Sequence, residues 1–240
     1  GLLGLEHAYS LLKIGINPIL TDIDLVKLKK NYSALKNKFP KNEILIFKMD
    51  VTKEVSGKKV KDLIISKKKS LKISIDNKVV KEKRMPKSNS LEKINLKDIK
   101  KEMDVGLIGA VIRIKYFGPL IAKRENGGII INIASDLSVI SPNQSIYRNG
   151  EFKPVTYSLI KHGLIGLTKY VSTFWPKKNV RCNALSPGPI LDKQSNSFLK
   201  KLKKQIPLDR LAYKNEYRSA IKFMCSDDSS YLNGHNLIID

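Results

Sequence analysis

The sequence is poor in the residues that build disulfide scaffolds and metal sites. Its 240 residues include two cysteines, three histidines and one tryptophan. Cys182 and Cys225 are isolated and lack ligand spacing, so we expect two reduced core thiols and no disulfide. His7, His162 and His235 also lack ligand spacing, so we expect no metal. The chain must therefore be stabilised by an ordinary hydrophobic core.

Long uninterrupted apolar runs are also missing. The most apolar stretch, residues 105–122, contains Arg113 and Lys115, so it predicts a core helix rather than a membrane span. No charged segment followed by an apolar one opens the chain, so we expect a cytoplasmic protein with no membrane partner. Hydrophobic residues make up 42% of the chain, which is ordinary for a folded domain and argues against disorder.

Acidic residues are scarce relative to basic ones, with 22 Asp and Glu against 45 Lys and Arg and a net charge of +23. Basic proteins attract nucleic-acid phosphates. Here the excess is nearly all lysine and is spread along the whole chain, without aromatic interleaving or an arginine cluster. We therefore expect solvated lysine-rich faces and no nucleic-acid partner, and a basic nucleic-acid-binding protein is the third and least favoured function class.

Short apolar runs alternate along the chain with longer stretches of helical period. We predict strands at 17–21, 43–49, 71–75, 128–134, 180–185 and 236–240. We predict helices at 4–14, 24–38, 53–69, about 95–124, 155–174 and 214–226. This alternation predicts one α/β domain, residues 1–240, with a doubly wound, Rossmann-like parallel sheet. In such sheets the ligand binds beyond the carboxyl ends of the strands.

The chain opens with GLLGLEHAYSLLKIG, in which two glycines three residues apart precede an amphipathic helix. At Gly1, Leu3 and Gly4 the backbone could approach a pyrophosphate closely, and the free N–H groups of the helix start could receive its charge. Two glycines are weak evidence, because glycine also serves ordinary turns.

Acidic residues follow the next two predicted strands. Asp22 stands at the distance from the glycines where a carboxylate accepts the ribose hydroxyls of a dinucleotide and repels a 2′-phosphate, which favours NAD over NADP. Alternatively, Asp22 or Asp24 caps the following helix. Asp50 has the same ambiguity, since it stands next to a possible cap at Thr52.

Tyr157 and Lys161 are four residues apart in the predicted helix 155–174, so their side chains share one helix face. A tyrosine and a lysine at this spacing can act on one substrate. Two other pairs have the same spacing: Tyr9 with Lys13, and Tyr32 with Lys36. Spacing alone therefore does not identify a catalytic pair.

Several motifs in order carry a resemblance to a known family. They are the Gly1–Gly4 turn, DV at 50–51, INIAS ending at Ser135, the Tyr157/Lys161 pair and VRCNALSPGPI at 180–190. The chain resembles the short-chain dehydrogenase/reductase family over essentially its whole length. It is more loosely similar to members associated with flagellin modification and surface-sugar synthesis, through ASDLSVISPNQ, KPVTYSLIKHGLIGLTKY and VRCNALSPG. The resemblance selects Tyr157, because this tyrosine follows a strand that carries a serine toward the cofactor site.

The resemblance implies an NAD-dependent oxidoreductase that interconverts an alcohol and a carbonyl. Tyr157 would exchange a proton with the substrate oxygen, and Ser135 would hold that oxygen. A tyrosine phenol ordinarily has a pKa near ~10. The Lys161 cation and the oxidised nicotinamide would favour the phenolate, and Lys161 would also bind the nicotinamide ribose. Further cofactor contacts are implied for Tyr157 itself and for Asp50, Val51, Pro187, Gly188 and Ile190.

Two departures from the family pattern put activity in doubt. Asp104 takes the place of an asparagine that holds a water in the proton relay, and we expect a changed pH profile from it. The resemblance implies that a few residues are lost between Ser74 and Ile75, and Asn77 is a poor substitute for the family's motif there. These departures favour, as the alternative function, a dinucleotide-binding relative that is catalytically impaired.

The resemblance also implies that the chain lacks the first strand of the sheet and stops just after the last one. That first strand would be central, so we expect a gap in the sheet. The family further implies a homodimer or homotetramer that pairs through the helices at 105–122 and 159–171.

The segment between Ser135 and Tyr157 is polar, and substrate identity depends on such loops. Asn143, Gln144 and Arg148 could contact a small hydroxylated or anionic substrate of sugar type, although an ordinary surface loop is equally consistent with the composition. The segment at 191–208 would form a lid over the site.

Overall fold

The computed structural model describes residues 2–77, 90–148 and 150–240. The strands are β1 (Ile19–Asp22), β2 (Leu45–Lys48), β3 (Ile73–Asp76), β4 (Gly128–Ile133), β5 (Val180–Pro187) and β6 (Asn236–Ile239). Each paired neighbour is parallel. The predicted strands and the parallel α/β class are confirmed.

Helices fill the connections between these strands. They are α1 (Gly4–Lys13), α2 (Leu25–Lys38), α3 (Glu54–Ser66), α4 (Leu96–Met103), α5 (Gly109–Ala122), α6 (Val155–Ser172), α7 (Asn196–Lys203) and α8 (Arg218–Cys225). A π-helical segment, Asp104–Ile108, joins α4 and α5 into one continuous helix. We had not predicted α7, which lies in the segment expected to form a lid.

The sheet is divided into two pieces. β1 pairs with β2 in a two-stranded sheet, and β3, β4, β5 and β6 form a four-stranded sheet in that order. Among the described residues no strand joins β1 to β3, and Leu2 and Leu3, ahead of α1, form a turn. The gap that we predicted in the sheet is therefore present, between β1 and β3.

β3 is regular along its whole length and pairs with β4 residue for residue. The pairing runs unbroken across Ser74 and Ile75, so the residues that the resemblance implies are lost there leave no break in β3. Asn77 follows β3 directly, and its Nδ2 lies 3.0 Å from the position that a Cβ on Gly4 would take. Asn77 therefore does lie beside the turn at the start of α1.

The core covers both faces of β4, all of whose residues are buried. Ile129, Ile131 and Ile133 pack in one cluster with residues of α1 and α8. Ile130 packs on the other face with residues of α5 and α6. Side chains alternate between the faces of a strand, and helices therefore enclose β4 from both sides.

Cys182 and Cys225 are free and buried. Burial raises the pKa of each thiol to about 12. A protonated thiol is a weak nucleophile, so both behave as the core thiols that we predicted.

One described helix, Leu96–Ala122, is long and apolar enough to span a membrane, and about half of its apolar part is buried in the fold. Arg113 in its middle is 5% exposed and donates hydrogen bonds to the carbonyl oxygen of Ser74 (3.1 Å) and to Asn132 Oδ1 (2.5 Å). Burial lowers the pKa of Arg113, and Asp76, whose carboxylate lies 4.0 Å away, opposes that shift. The arginine therefore fastens this core helix to β3 and β4.

Candidate active site

The carboxyl ends of the strands open into a cavity of about 1850 Å³. Ligand pockets usually measure ~300–1,000 Å³, so this cavity exceeds the common size. It runs between β1 and β3, where the sheet is divided, and reaches the loops after β4 and β5. Ligands of parallel α/β sheets bind at this edge.

Ser135 and Tyr157 meet in this cavity. Ser135 follows β4, Tyr157 lies in the first turn of α6, and the Tyr157 hydroxyl donates a hydrogen bond to Ser135 Oγ at 3.2 Å. Tyr9 and Tyr32, the alternatives with the same lysine spacing, instead pack in a cluster between α1 and α2. The fold thus brings together the serine and the tyrosine that the motifs paired.

Lys161 lies one helical turn after Tyr157 and is buried. Its Nζ donates to the carbonyl oxygen of Ile133 at 2.9 Å and lies 5.6 Å from the centroid of the Tyr157 ring. Burial lowers the pKa of Lys161 to about 8. The ammonium is therefore anchored to the end of β4 near the phenol, and it loses its charge only slightly above neutral pH.

The Ser135 hydroxyl is already engaged in hydrogen bonds. It donates to Asp136 Oδ1 at 2.6 Å and accepts from the Tyr157 hydroxyl and from the N–H of Leu137 at 3.3 Å. Asp136 Oδ1 also accepts from the Leu137 N–H at 2.8 Å. A substrate oxygen that binds Ser135 must therefore replace one of these partners.

Lys153 belongs to this group, although we did not select it from the sequence. Its Nζ lies 3.7 Å from the centroid of the Tyr157 ring, and the side chain lines the cavity. Its backbone N–H donates to Gln144 Oε1 at 2.8 Å. In a chain with 45 basic residues, a single loop lysine carries no recognisable signal.

A buried polar layer connects the elements that carry the site. Asn132 of β4 accepts from Arg113 of α5, and its Nδ2 donates to Thr168 Oγ1 of α6 at 2.8 Å. Arg113 also donates to Ser74 Oγ of β3 at 2.9 Å. These bonds hold α6, which carries Tyr157, against β4, and the arginine inside an apolar run was the sequence signal for them.

The turn before α1 has the features of a phosphate site. No described side chain caps the helix, and the first N–H groups of any helix lack partners within it. Leu3 and Gly4 line the cavity, and a Cβ on Gly4 would press against Asn77. Gly1 lies outside the described residues. An uncapped helix start of this kind suits an anionic pyrophosphate.

Asp22 and Asp50 stand at the ends of β1 and β2 and line the same cavity. Asp24 caps α2, because its Oδ1 accepts from the Lys27 N–H at 3.0 Å. Asp22 accepts from the Asp24 N–H at 3.0 Å. Asp50 Oδ1 accepts hydrogen bonds from the N–H (2.9 Å) and the hydroxyl (2.7 Å) of Thr52, so this oxygen is already engaged in a local turn.

The other predicted cofactor contacts also line the cavity: Val51, Pro187, Gly188 and Ile190. The N–H of Gly188 donates to the carbonyl oxygen of Ile239 at 2.7 Å, and a Cβ there would lie 2.8 Å from the Cα of Asp240. Only glycine fits this crossing with β6. An acid after β1, an uncapped helix start and this wall after β5 together suit a nicotinamide dinucleotide.

Asp104 does not join the site. It is exposed and does not line the cavity, whereas Val105 does. Asp104 begins the π-helical segment, in which Gly106 is so close to Ile160 that an added Cβ would lie 2.7 Å from it. The wider π turn changes the phase of the helix. The relay role expected for Asp104 therefore has no geometric support.

The three residues proposed for substrate contact have different positions. Asn143 lines the cavity, but its Oδ1 accepts from the Ser145 N–H at 3.0 Å and caps a local turn. Gln144 and Arg148 are exposed and do not line the cavity. Gln144 contributes indirectly, through its hydrogen bond to Lys153.

The segment at 191–208 covers one side of the cavity with apolar side chains: Phe198, Leu202, Ile206 and Leu208. Part of it forms α7, which begins at a Ser195 cap. Nowhere among the described residues, the cavity included, does a group of three or more His, Cys, Asp or Glu residues lie close enough to hold a metal ion.

Known proteins resemble this chain in sequence. A family model described as "Enoyl-(Acyl carrier protein) reductase" matches residues 3–240. D-threitol dehydrogenase of Mycolicibacterium smegmatis is 29% identical over 154 residues, which cover 62% of this chain and 55% of that protein. Post-translational flagellin modification protein A of Campylobacter coli is 27% identical over 223 residues, which cover 92% of this chain and 86% of that protein.

A solved structure has the same fold. The gluconate 5-dehydrogenase from Burkholderia cenocepacia, determined in complex with NADP and tartrate, superposes with a TM-score of 0.84 at 21% identity and covers 100% of this chain and 89% of that one. The matched family model spans nearly all of the sequence, including the residues around the cavity. The chain belongs to the short-chain dehydrogenase/reductase family.

Proposed function

We propose that this chain is an NAD-dependent oxidoreductase that interconverts an alcohol and a carbonyl. The observation that carries the proposal is the Tyr157 hydroxyl 3.2 Å from Ser135 Oγ, inside a cavity at the carboxyl ends of the strands. Lys161 lies one turn further along the same helix. A proton acceptor, a hydrogen-bond donor for the substrate oxygen and a neighbouring cation are what alcohol oxidation requires.

The residues divide the chemistry between them. A bound oxidised nicotinamide supplies the hydride acceptor. Tyr157, as phenolate, takes the proton of the substrate hydroxyl, and in the reverse direction it returns that proton. Ser135 holds the same oxygen after exchanging its hydrogen bond to Asp136. Lys161, anchored on Ile133, favours the phenolate through its positive charge.

Asp22 supports NAD rather than NADP as the cofactor. Its carboxylate lies at the end of β1 on the cavity, where it would accept the ribose hydroxyls and repel a 2′-phosphate. All three acids accept a local backbone N–H, so it is the position of Asp22 at the end of β1 that favours it for this role. The Gly4 turn and the α1 start would hold the pyrophosphate, and the bend at Gly188 would lie along the nicotinamide.

For the substrate we propose a small polyhydroxylated alcohol. The cavity wall around Tyr157 carries Asp136, Asn143 and Lys153, which can hydrogen-bond to hydroxyl groups. The similarity to D-threitol dehydrogenase supports this substrate class.

We also propose self-association through α5 and α6. Both helices leave large apolar side chains in solvent, with Val111 of α5 43% and Leu159 of α6 48% exposed, and Ile108 of the preceding π-helical segment is 46% exposed. Sedimentation of the purified protein measures the resulting dimer or tetramer.

An alcohol screen tests the proposed activity. Purified protein is incubated with NAD⁺ or NADP⁺ and with D-threitol, glycerol, gluconate or cyclohexanol, and the absorbance of reduced nicotinamide is followed. Dinucleotide binding is titrated in parallel by fluorescence. We expect reduction of NAD⁺ by at least one polyol. Binding without turnover would instead support the dinucleotide-binding relative, and absence of binding would reject both functions.

A further inference from the structure

A second ammonium group stands at the reactive tyrosine. We infer that Lys153 is a positioning residue of the reaction centre, and that its charge favours the deprotonated form of Tyr157. This inference rests on the proposed function, since it concerns the proton that Tyr157 exchanges. Neither the family resemblance nor the spacing of Tyr157 and Lys161 pointed to Lys153.

Lys153 lies closer to the Tyr157 ring than Lys161 does. Its Nζ lies 3.7 Å from the centroid of the Tyr157 ring, whereas Lys161 Nζ lies 5.6 Å from it. A cation over the face of an aromatic ring is attracted by the π electrons. When the phenol loses its proton, the ring carries part of a full negative charge, and the attraction grows as the separation shrinks. Lys153 therefore stabilises the phenolate more than the phenol.

The backbone fixes Lys153 in front of α6. Lys153 precedes Pro154, the N-cap of that helix, and its N–H donates to Gln144 Oε1 at 2.8 Å. Proline restricts both its own φ and the conformation of the residue before it. The backbone of Lys153 is therefore constrained, four residues before Tyr157. The exposed Gln144 contributes to the site because it holds this backbone through its hydrogen bond.

Other charged groups act on Lys161, the second cation near this phenol. Lys161 extends from α6, Asp136 follows β4, and Asp76 ends β3. Asp136 accepts hydrogen bonds from Ser135 and Leu137, and Asp76 lies 4.0 Å from the guanidinium of Arg113. The negative charges of the two acids therefore oppose the positive charges of the two lysines, of which Lys153 lies nearer to the ring.

The two lysines also act on each other. The pKa of Lys161 is lowered to about 8 by burial first, and Lys153 lowers it further, while Asp76 and Asp136 oppose the shift. As the pH rises through 8, Lys161 becomes neutral and its effect on the phenol fades. Lys153 is half-buried, lines the cavity and lies nearer to the ring than Lys161 does.

The test titrates the phenol directly, without cofactor or substrate. Tyrosinate absorbance in the near ultraviolet is recorded against pH for the parent protein, for Lys153→Met and for Lys153→Arg. Each is paired with its Tyr157→Phe counterpart, and the difference isolates one of the nine tyrosines. Lys169→Met, which removes an exposed lysine from α6, is the matched control.

We expect the Tyr157 midpoint to rise by about one pH unit in Lys153→Met, because a nearby opposite charge typically shifts a titration by ~1–3 units. Lys153→Arg and Lys169→Met should keep the parent midpoint. With D-threitol as substrate, the acid limb of kcat/KM should move by the same amount in Lys153→Met alone.

An unchanged midpoint in Lys153→Met would overturn the inference. So would an equal rise in Lys153→Arg, since packing rather than charge would then be responsible. A raised KM for gluconate with an unchanged midpoint would assign Lys153 to substrate binding and also reject the inference. If the midpoint shifts but no alcohol is turned over, the proposed function fails while the role of Lys153 stands.

Discussion

The strands of the four-stranded sheet are more deeply buried than those of the two-stranded sheet, and each sheet carries part of the candidate site. In the four-stranded sheet, every residue of β4 and all but one of β5 are buried. In the two-stranded sheet, every residue of β1 and β2 is at least partly exposed, and each strand has four residues. Segments with few buried contacts open at lower free energy than core segments.

The proposed catalytic residues and the proposed cofactor-binding acid lie on different sheets. Ser135, Tyr157 and Lys161 are attached to the four-stranded sheet, where hydrogen bonds to buried groups fix them before a ligand arrives. Asp22 ends β1, in the two-stranded sheet. Substitutions in the first piece should therefore change rates or global stability, and those in the second should change dinucleotide binding.

Tyr157→Phe should have the largest effect, because it removes the proton carrier and leaves the ring in place. We expect kcat/KM to fall by ~10²–10⁴-fold, the usual contribution of a general acid–base group. Dinucleotide affinity should change little. Steady-state assays of Tyr157→Phe and of Tyr9→Phe, a matched control between α1 and α2, check this. Equal losses in the two variants would contradict the assignment.

Arg113→Met tests the polar layer of the four-stranded sheet. Removing one partner of a buried charge pair typically costs about 3–5 kcal/mol, and here Asp76 and the Asn132 oxygen would lose their cationic neighbour. Urea unfolding measures the loss. Lys115 lies on α5 like Arg113, but its ion pair with Glu54 of α3 is exposed. Lys115→Met should therefore change stability little. A comparable loss in both variants would show that the buried layer is not special.

Much of the fold was predictable because apolar periodicity reports which strands and helices are buried. The runs at 128–134 and 180–185 predicted β4 and β5 directly, since both strands are enclosed by helices. α7 was missed because its sequence, NSFLKKLK, has few apolar residues to show a helical period. Its apolar side chains Phe198 and Leu202 line the cavity.

The site could be predicted where a sequence motif determines the geometry. It could not be predicted where the geometry depends on residues that are distant in sequence. Ser135 and Tyr157 meet because β4 and α6 are adjacent, which the motif order implied. Asp104 is exposed outside the cavity, and the sequence does not reveal the π-helical segment that begins at this residue. Lys153 acts through space on Tyr157 from a loop, and among so many lysines no pattern distinguishes it.

Asp22→Ala tests the two-stranded sheet, with a smaller expected effect. A hydrogen bond to a charged group contributes about 1.5–3 kcal/mol, so NAD should bind roughly 10–100-fold more weakly. NADP binding should change less, so that the preference for NAD narrows. Fluorescence titrations compare this variant with Asp24→Asn, which retains a side chain able to cap α2. A loss of NAD affinity in Asp24→Asn alone would move the ribose contact away from Asp22.

His7→Leu should have the smallest effect, and it probes the helix that connects the two pieces. α1 places Leu11 in the cluster of the four-stranded sheet and Leu12 in the cluster with α2. On the same helix His7 is 3% exposed, and neither of its ring nitrogens has a hydrogen-bond partner among the described residues. Burial lowers the pKa of His7 from 6.5 to about 3.

Because the unfolded chain binds a proton at His7 more readily than the folded one, protonation of His7 lowers stability only below about pH 6.5. Stability is then lost as the pH falls from 6.5 toward 3, by at most about 1.4 kcal/mol per pH unit. Thermal unfolding at pH 7 and pH 5 should show a smaller decrease in Tm for His7→Leu than for the parent protein. His162→Leu, at an exposed position, should keep the parent decrease. If His7→Leu kept it too, acid sensitivity would lie outside α1, and the link between the two sheets would not be the part that protonation loosens.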